Sequence, residues 1–210
     1  MFDLIELGII KQSASGNAYK VFEKHFENLT LDTYQESKTL PSQFISKNWT
    51  SLKSGQNVDR GSLGKYFEYL IALTLYLEGI APFYTYAIVP LVPNVEFDLL
   101  MYEQDRGPIV LSIKTSLRER YKQADLEALA LKTVFKKAVT YVITMEANEA
   151  AVQQAKLERG EMHALEEFVL ATSPKFDSFI ENLRRRNLIE APSFPLVRDA
   201  SRVVPFHGAF

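Results

Sequence analysis

The spacing of apolar and polar residues along the chain predicts helices first and then a mixture of strands and helices. The beginning of the chain is mostly polar and helical in pattern. The next stretch, residues 62–78, is strongly apolar and predicts a buried helix with Ser62 as its N-cap and Gly79 at its end. Two runs rich in β-branched and aromatic residues, 95–103 and 109–116, flank a polar turn, which predicts a β-hairpin.

Beyond the hairpin, the pattern alternates between the helical and the extended period. Helices are predicted over residues 118–138, 149–163 and 176–186, and strands over residues 137–146 and 166–172. The last stretch, residues 190–210, contains three prolines and is predicted to be irregular. This order of elements indicates an α/β fold in which a central mixed β-sheet is flanked by helices. The length of 210 residues favours a single domain.

Composition narrows the chemistry that such a fold can carry. The chain has no cysteine, which excludes disulfides, thiolate metal sites and a cysteine nucleophile, and its three histidines argue against a multi-histidine metal centre. A metal would therefore be bound by oxygen ligands, which favours Mg²⁺ or a similar hard cation. No apolar run is long enough to span a membrane, and acidic residues precede the first apolar run, unlike in a signal peptide. We therefore expect a cytoplasmic protein.

Four ionisable side chains occupy positions where the pattern otherwise has apolar residues. Asp98 lies on the first strand of the hairpin, and Lys114 lies on the second strand, on the same side as Ser112. Glu68 lies inside the apolar helix, and Glu127 lies on the packed face of the helix after the hairpin. Taken singly, such a Glu is more often a boundary residue than a ligand. Taken together, three carboxylates and a lysine predict an oxygen-ligand metal site suited to phosphodiester hydrolysis.

The order of these residues along the chain resembles that of the PD-(D/E)XK nuclease superfamily. The resemblance is carried by Glu68 on a helix, Asp98 on one strand and Ser-Ile-Lys at 112–114 on the next strand. Two positions depart from the usual motif. Phe97 stands where a proline is common, and Ser112 stands where an acid is expected two residues before the lysine. The second departure removes one of the expected metal ligands.

One branch of this superfamily supplies the missing acid from the following helix, about thirteen residues after the lysine, and Glu127 lies thirteen residues after Lys114. That branch consists of type II restriction endonucleases that cut sites containing CC and GG, such as CCGG or CCNGG. The resemblance implies that Glu68, Asp98 and Glu127 bind Mg²⁺. It also implies that Lys114 assists the attacking water, and that Ser112 leaves room for the carboxylate of Glu127.

The Arg-Glu-Arg triplet at residues 118–120 resembles a triplet that reads the CC:GG half-site in the same branch. An arginine can donate two hydrogen bonds to guanine, and a carboxylate can accept from cytosine amino groups. The resemblance thus implies that Arg118 and Arg120 bind guanines and that Glu119 binds cytosines. Taken alone, such a triplet is more often a solvated helix start. Seven basic residues against three acids between Ser112 and Lys137, in a chain of net charge −2, suit phosphate contact.

The resemblance implies a Mg²⁺-dependent type II restriction endonuclease that cuts double-stranded DNA. A palindromic site implies a homodimer, and a restriction role implies a cognate DNA methyltransferase in the host. Residues 61–210 would form the PD-(D/E)XK nuclease core. The resemblance leaves residues 1–60 unexplained, as an N-terminal helical region that is either an appendage or part of the same domain. Two alternatives stay open: a repair or junction nuclease of the same superfamily, and a nuclease-dead DNA-binding module, which Ser112 favours.

Overall fold

The computed structural model describes residues 3–11, 17–55, 60–192 and 201–203, and within this part of the chain a six-stranded mixed sheet forms the centre. In chain order the elements are α1 (Asn17–His25), α2 (Leu31–Ser37), α3 (Pro41–Lys53), α4 (Arg60–Leu77), β1 (Phe83–Ile88), β2 (Glu96–Glu103), β3 (Gly107–Lys114), α5 (Arg120–Val134), β4 (Val139–Thr144), α6 (Ala147–Glu158), β5 (Glu167–Leu170), α7 (Pro174–Arg184) and β6 (Ser201–Val203).

The strands lie in the order β5-β4-β3-β2-β1-β6 across the sheet. Strands β1, β2 and β3 pair antiparallel, and β6 is antiparallel to β1. Strands β4 and β5 continue the sheet in parallel to β3. Parallel neighbours need a crossover, and α5 and α6 supply the two crossovers. The α/β fold predicted from the sequence, with a central mixed sheet flanked by helices, is confirmed.

Helices bury both faces of the sheet. Leu111 of β3 belongs to the large hydrophobic cluster that contains the buried side chains of α4. On the other face, Val110 of β3 packs with Leu131 of α5, and Ala128 of α5 packs with Val142 of β4. Because side chains alternate along a strand, Ser112 and Lys114 lie on the α5 face. The sequence analysis had predicted that only the face of β3 that carries Leu111 is buried. The α5 face is also buried, and Ser112 is 4% exposed.

The helices before α4 share the hydrophobic core of the sheet domain. Phe22 of α1 is fully buried, and its ring centre lies 5.3 Å from that of Tyr69 on α4. Ile45 of α3 and Leu4 belong to the same cluster as α4 and the sheet. Hydrophobic burial therefore joins the described part of residues 1–60 to the sheet.

Some element boundaries differ from those predicted. Helix α4 begins at Arg60, so Ser62 lies inside the helix and is not its N-cap, which corrects the sequence analysis. Gly79 ends the helix as predicted, because its φ of 71° lets the N–H of Ile80 reach the carbonyl of Leu75 at 2.9 Å. The turn of the predicted hairpin is shorter than expected, since β3 already begins at Gly107.

Two strands were not predicted. Strand β1 lies between Pro82 and Pro90, which had been interpreted as breakers, although Phe83–Ile88 is rich in aromatic and β-branched residues. Strand β6 lies in a stretch predicted to be irregular. Residues 190–192 of that stretch are irregular as predicted, and residues 193–200 and 204–210 lie outside the described residues. Among the described residues, no helix combines the length and hydropathy needed to cross a membrane.

Replacing Phe22 by Ala should lower the free energy of unfolding of the whole protein by about 3–5 kcal/mol, because a fully buried ring between α1 and α4 is removed. Urea unfolding, followed by circular dichroism and by the fluorescence of Trp49, should show one transition shifted to lower urea. The matched control is Val21→Ala, an exposed neighbour on α1, which should change the free energy by less than about 0.5 kcal/mol. Separate transitions for the two probes would contradict a shared core.

Candidate active site

An ion pair inside the sheet joins Asp98 of β2 to Lys114 at the end of β3. The Lys114 ammonium donates to Asp98 Oδ2 at 2.9 Å, and the backbone N–H of Ile113 donates to the same oxygen at 2.6 Å. The two side chains are 12% and 18% exposed. The antiparallel register explains why Asp98 and Lys114 lie close together. Leu99 of β2 lies opposite Leu111 of β3, so Asp98 lies beside the end of β3, where Lys114 is. The structure thus brings together the two residues that the hairpin spacing had paired.

Glu68 of α4 interacts electrostatically with this pair and lies on the opposite face of the sheet from α5. Its carboxylate accepts a hydrogen bond from Lys65 Nζ at 2.7 Å and is 18% exposed. Burial raises the pKa of Glu68, and the negative charge of Asp98 raises it further, whereas Lys65 and Lys114 oppose the shift. These interactions place Glu68 in the electrostatic field of the Asp98–Lys114 pair.

Glu127 of α5, on the other face of the sheet, also interacts electrostatically with the pair. Its Oε1 accepts from Gln123 Nε2 at 2.7 Å. Burial raises the pKa of Glu127, the hydrogen bond from Gln123 and the charge of Lys114 oppose this, and Asp98 adds to it. Its side chain is half-buried at the margin of the packed helix face, so it is less inward than the sequence pattern indicated. Carboxylates from two helices therefore flank one strand end.

The donor set suits a hard divalent cation, but the side chains do not form a closed cage. Within the described residues, no three His, Asp or Glu side chains are grouped closely enough to hold a metal ion. Lys65 and Lys114 provide the countercharge instead. The buried hydroxyl of Ser112 has no hydrogen-bond partner in the part of the chain that the structure describes. A buried polar group of this kind normally has a water or an ion as its partner. Carboxylate and hydroxyl oxygens are the type of donor that Mg²⁺ prefers.

The Arg118-Glu119-Arg120 triplet lies where the loop after β3 enters α5. All three side chains are exposed to solvent. Glu119 precedes the first residue of the helix and accepts from Lys122 Nζ at 2.6 Å, a hydrogen bond that lowers the pKa of Glu119. An exposed ion pair of this kind contributes little to stability, so it does not lock the side chain. The triplet is thus available for contact with a large partner.

Glu149, at the start of α6, holds the loop that carries the triplet, and the sequence analysis did not identify it. Its Oε2 accepts from the backbone N–H of Leu117 at 2.5 Å and of Arg118 at 3.3 Å, and from the hydroxyl of Ser116 at 3.4 Å. The sequence gives little signal for this role, because an acid in the first turn of a helix is common. The carboxylate fixes the path of the chain between Lys114 and α5.

Comparison with known proteins supports the fold. No protein-family model and no curated protein matches this chain in sequence. A solved structure, the restriction endonuclease PspGI in complex with its substrate DNA, superposes with a TM-score of 0.51 at 15% sequence identity, over 86% of this chain and 84% of that chain. At this identity the similarity establishes the fold alone. The restriction-endonuclease-like core expected from the resemblance is confirmed as a fold.

Replacing Glu68 by Gln should raise the melting temperature of the metal-free protein at neutral pH. Folding raises the pKa of Glu68, so between its pKa in the unfolded chain and its pKa in the folded protein only the folded state keeps the carboxyl proton. The free energy of unfolding therefore falls as the pH rises between these two pKa values. Glutamine removes the penalty, while its side-chain oxygen can still accept from Lys65. Scanning calorimetry in EDTA should show a difference from wild type that is small in acid and grows as the pH rises.

Glu78, just after α4, is the matched control for this prediction. It accepts from the hydroxyl of Tyr34 and forms an ion pair with Arg184. Its replacement by Gln removes a favourable charge pair, so Glu78→Gln should lower the melting temperature at neutral pH. If Glu68→Gln were as destabilising as Glu78→Gln, burial and the charge of Asp98 would not disfavour the ionised form of Glu68 as described.

Proposed function

We propose that this protein is a Mg²⁺-dependent endonuclease that hydrolyses phosphodiester bonds of double-stranded DNA. The observation that carries the proposal is the Asp98–Lys114 pair at the end of β3, in whose electrostatic field lie Glu68 and Glu127 from two opposite helices. The similarity in fold to a restriction endonuclease solved with its substrate DNA supports it.

Asp98, Glu68 and Glu127 are the residues that would hold the cation. When bound, Mg²⁺ would lower the pKa of a water molecule and would compensate the negative charge that develops on phosphorus. The Lys114 ammonium has three N–H donors, and its hydrogen bond to Asp98 leaves capacity for a phosphate oxygen or for the attacking water. Ser112 is small and would leave room for the carboxylate of Glu127, and its hydroxyl has no hydrogen-bond partner in the described part of the chain.

We propose further that Arg118, Glu119 and Arg120 read a site containing CC and GG in the major groove. Their exposure at the entry to α5 and the fixed loop before them support this assignment. The two arginines would each donate to a guanine, and the carboxylate would accept from cytosine amino groups. A two-fold symmetric site calls for a homodimer, and a type II restriction role calls for a cognate DNA methyltransferase in the host and for a cytoplasmic location.

The second candidate function is a nuclease-dead DNA-binding module on the same fold. It is favoured by the lack of a closed three-ligand group among the described residues and by Ser112 in place of an acid. A repair or junction nuclease is disfavoured by the exposed Glu119, because shape recognition needs no carboxylate in the groove.

Incubation of a mixed-sequence plasmid with the protein and Mg²⁺ should give discrete fragments that end at CC/GG sites. Lys114→Ala and Glu127→Ala should each lower the cleavage rate by about 10²–10³-fold, because the first removes the ammonium at the reacting phosphate and the second removes a carboxylate that would hold the cation. The control is Lys38→Ala, an exposed lysine at the C-terminal end of α2 near Glu78, which should cleave normally. An intact plasmid would favour the DNA-binding module, and cleavage without sequence preference would favour the repair nuclease.

Replacing Arg118 by Ala should relax specificity at one base pair. A bidentate arginine–guanine contact contributes about 1–3 kcal/mol of discrimination, so the variant should bind a duplex with that base pair changed about as well as the original site. Binding is measured with Ca²⁺ in place of Mg²⁺ to prevent cleavage. Lys38→Ala serves again as the control and should keep the wild-type preference. Equal loss of affinity for every duplex would show that Arg118 contacts phosphate and does not read a base.

A further inference from the structure

Tyr86 interrupts the regular geometry of β1 beside the candidate site. Its φ of 55° lies in the left-handed region, which bulky side chains rarely adopt. Its neighbours Thr85 and Ala87 lie opposite Leu99 and Phe97 of β2, so Tyr86 stands opposite Asp98. Backbone strain of this kind often persists at functional sites.

The unusual backbone changes the side of the sheet on which the Tyr86 ring lies. Tyr84 packs in the cluster on the α5 face, and strict alternation would place Tyr86 on that face too. Tyr86 instead packs in the cluster of α4, where it is 5% exposed and is hydrogen-bonded through its side chain to Tyr69. The ring therefore stands on the Glu68 side of Asp98.

Two lysine ammonium groups lie against this ring. Lys11 Nζ is 4.3 Å and Lys65 Nζ is 4.6 Å from the ring centre. Their side chains are 37% and 45% exposed, so the charged groups remain accessible to solvent while the buried ring holds them by cation–π attraction. Two positive charges are thus held in one place next to the carboxylates.

The N-terminal segment is fixed in the position that delivers Lys11. The hydroxyl of Thr85 in β1 donates to the carbonyl of Gly8 at 2.9 Å, and Lys11 itself pairs with Glu96 of β2 at 2.9 Å. Ile9 and Ile10 are fully buried between these contacts. Lys11 is therefore part of the folded structure around β1 and β2.

The carboxylates nearby differ in how they affect the two lysines. Glu68 offsets the positive charge of Lys65, and Asp98 adds to this, whereas Lys11 is paired with the exposed Glu96. A divalent cation held by Glu68 and Asp98 would compensate their charge and leave Lys65 as an uncompensated positive group. Each ammonium has three N–H donors and uses one in a hydrogen bond to a carboxylate, Glu96 for Lys11 and Glu68 for Lys65. Each can therefore also donate to a phosphate oxygen.

We propose that Lys11 and Lys65, held on the Tyr86 ring, form a binding site for a DNA backbone phosphate close to the scissile bond. The inference rests on the proposed nuclease function and deepens it. It assigns part of residues 1–60 a role in holding the substrate. It also separates Lys65, which binds substrate, from Lys114, which acts at the reacting phosphate.

The test is the salt dependence of DNA affinity, measured by fluorescence anisotropy with a labelled duplex and Ca²⁺. The slope of log affinity against log salt is negative, and losing one phosphate contact makes it shallower by about 0.9. The double variant Lys11→Gln/Lys65→Gln should show this change, with the same loss of affinity for every sequence. The control is Lys38→Gln, an exposed lysine at the C-terminal end of α2 near Glu78, which should keep the wild-type slope.

Two results would overturn the inference, and they are distinguishable. If the wild type binds the duplex and the double variant keeps its slope while its melting temperature falls, the two lysines only stabilise the fold, and the proposed nuclease function stands. If the wild type does not bind the duplex with Ca²⁺ at any salt concentration, the proposed function fails and the phosphate site fails with it.

Discussion

The charge of Asp98, largely buried in the middle of a sheet, is the constraint on which the rest of the site depends. A buried carboxylate is costly unless it is paired and hydrogen-bonded. The end of β3 meets both needs, because the N–H of Ile113 and the ammonium of Lys114 donate to the same oxygen. Glu68 and Glu127 bring the number of carboxylates to three, which the two lysines Lys65 and Lys114 do not fully balance, and burial raises the pKa of both glutamates. A bound divalent cation would resolve this excess.

The topology places the proposed catalytic residues and the proposed DNA-recognition residues around the same end of β3. Strand β3 pairs antiparallel with β2, which brings Asp98 to Lys114, and parallel with β4, which requires the α5 crossover. The same crossover carries the exposed triplet at residues 118–120 and then Glu127. Glu149, at the start of the next crossover, holds the intervening loop by its backbone N–H groups. A short stretch of chain thus links the reacting centre to the surface proposed to read DNA.

The sequence predicted the parts of this arrangement that depend on local pattern. The hairpin spacing joined Asp98 to Lys114, and the apolar period located α4. Strand β1 was missed because flanking prolines suggested loops, although such residues are also common at strand boundaries. Lys65, Lys11 and Glu149 were missed because each is an ordinary polar residue in its own segment. Their significance comes from partners far away in sequence, such as Tyr86, whose backbone geometry no local pattern indicates.

The central claim, that the carboxylates around Lys114 bind a divalent cation, is tested most directly by calorimetric titration of Ca²⁺ into the protein bound to a duplex. The account predicts saturable binding in the wild type and a loss of more than about tenfold in affinity for Asp98→Asn, since even indirect support of a metal ligand contributes about 10–100-fold. Ca²⁺ binding that is absent, or that is unchanged in Asp98→Asn, would contradict the account.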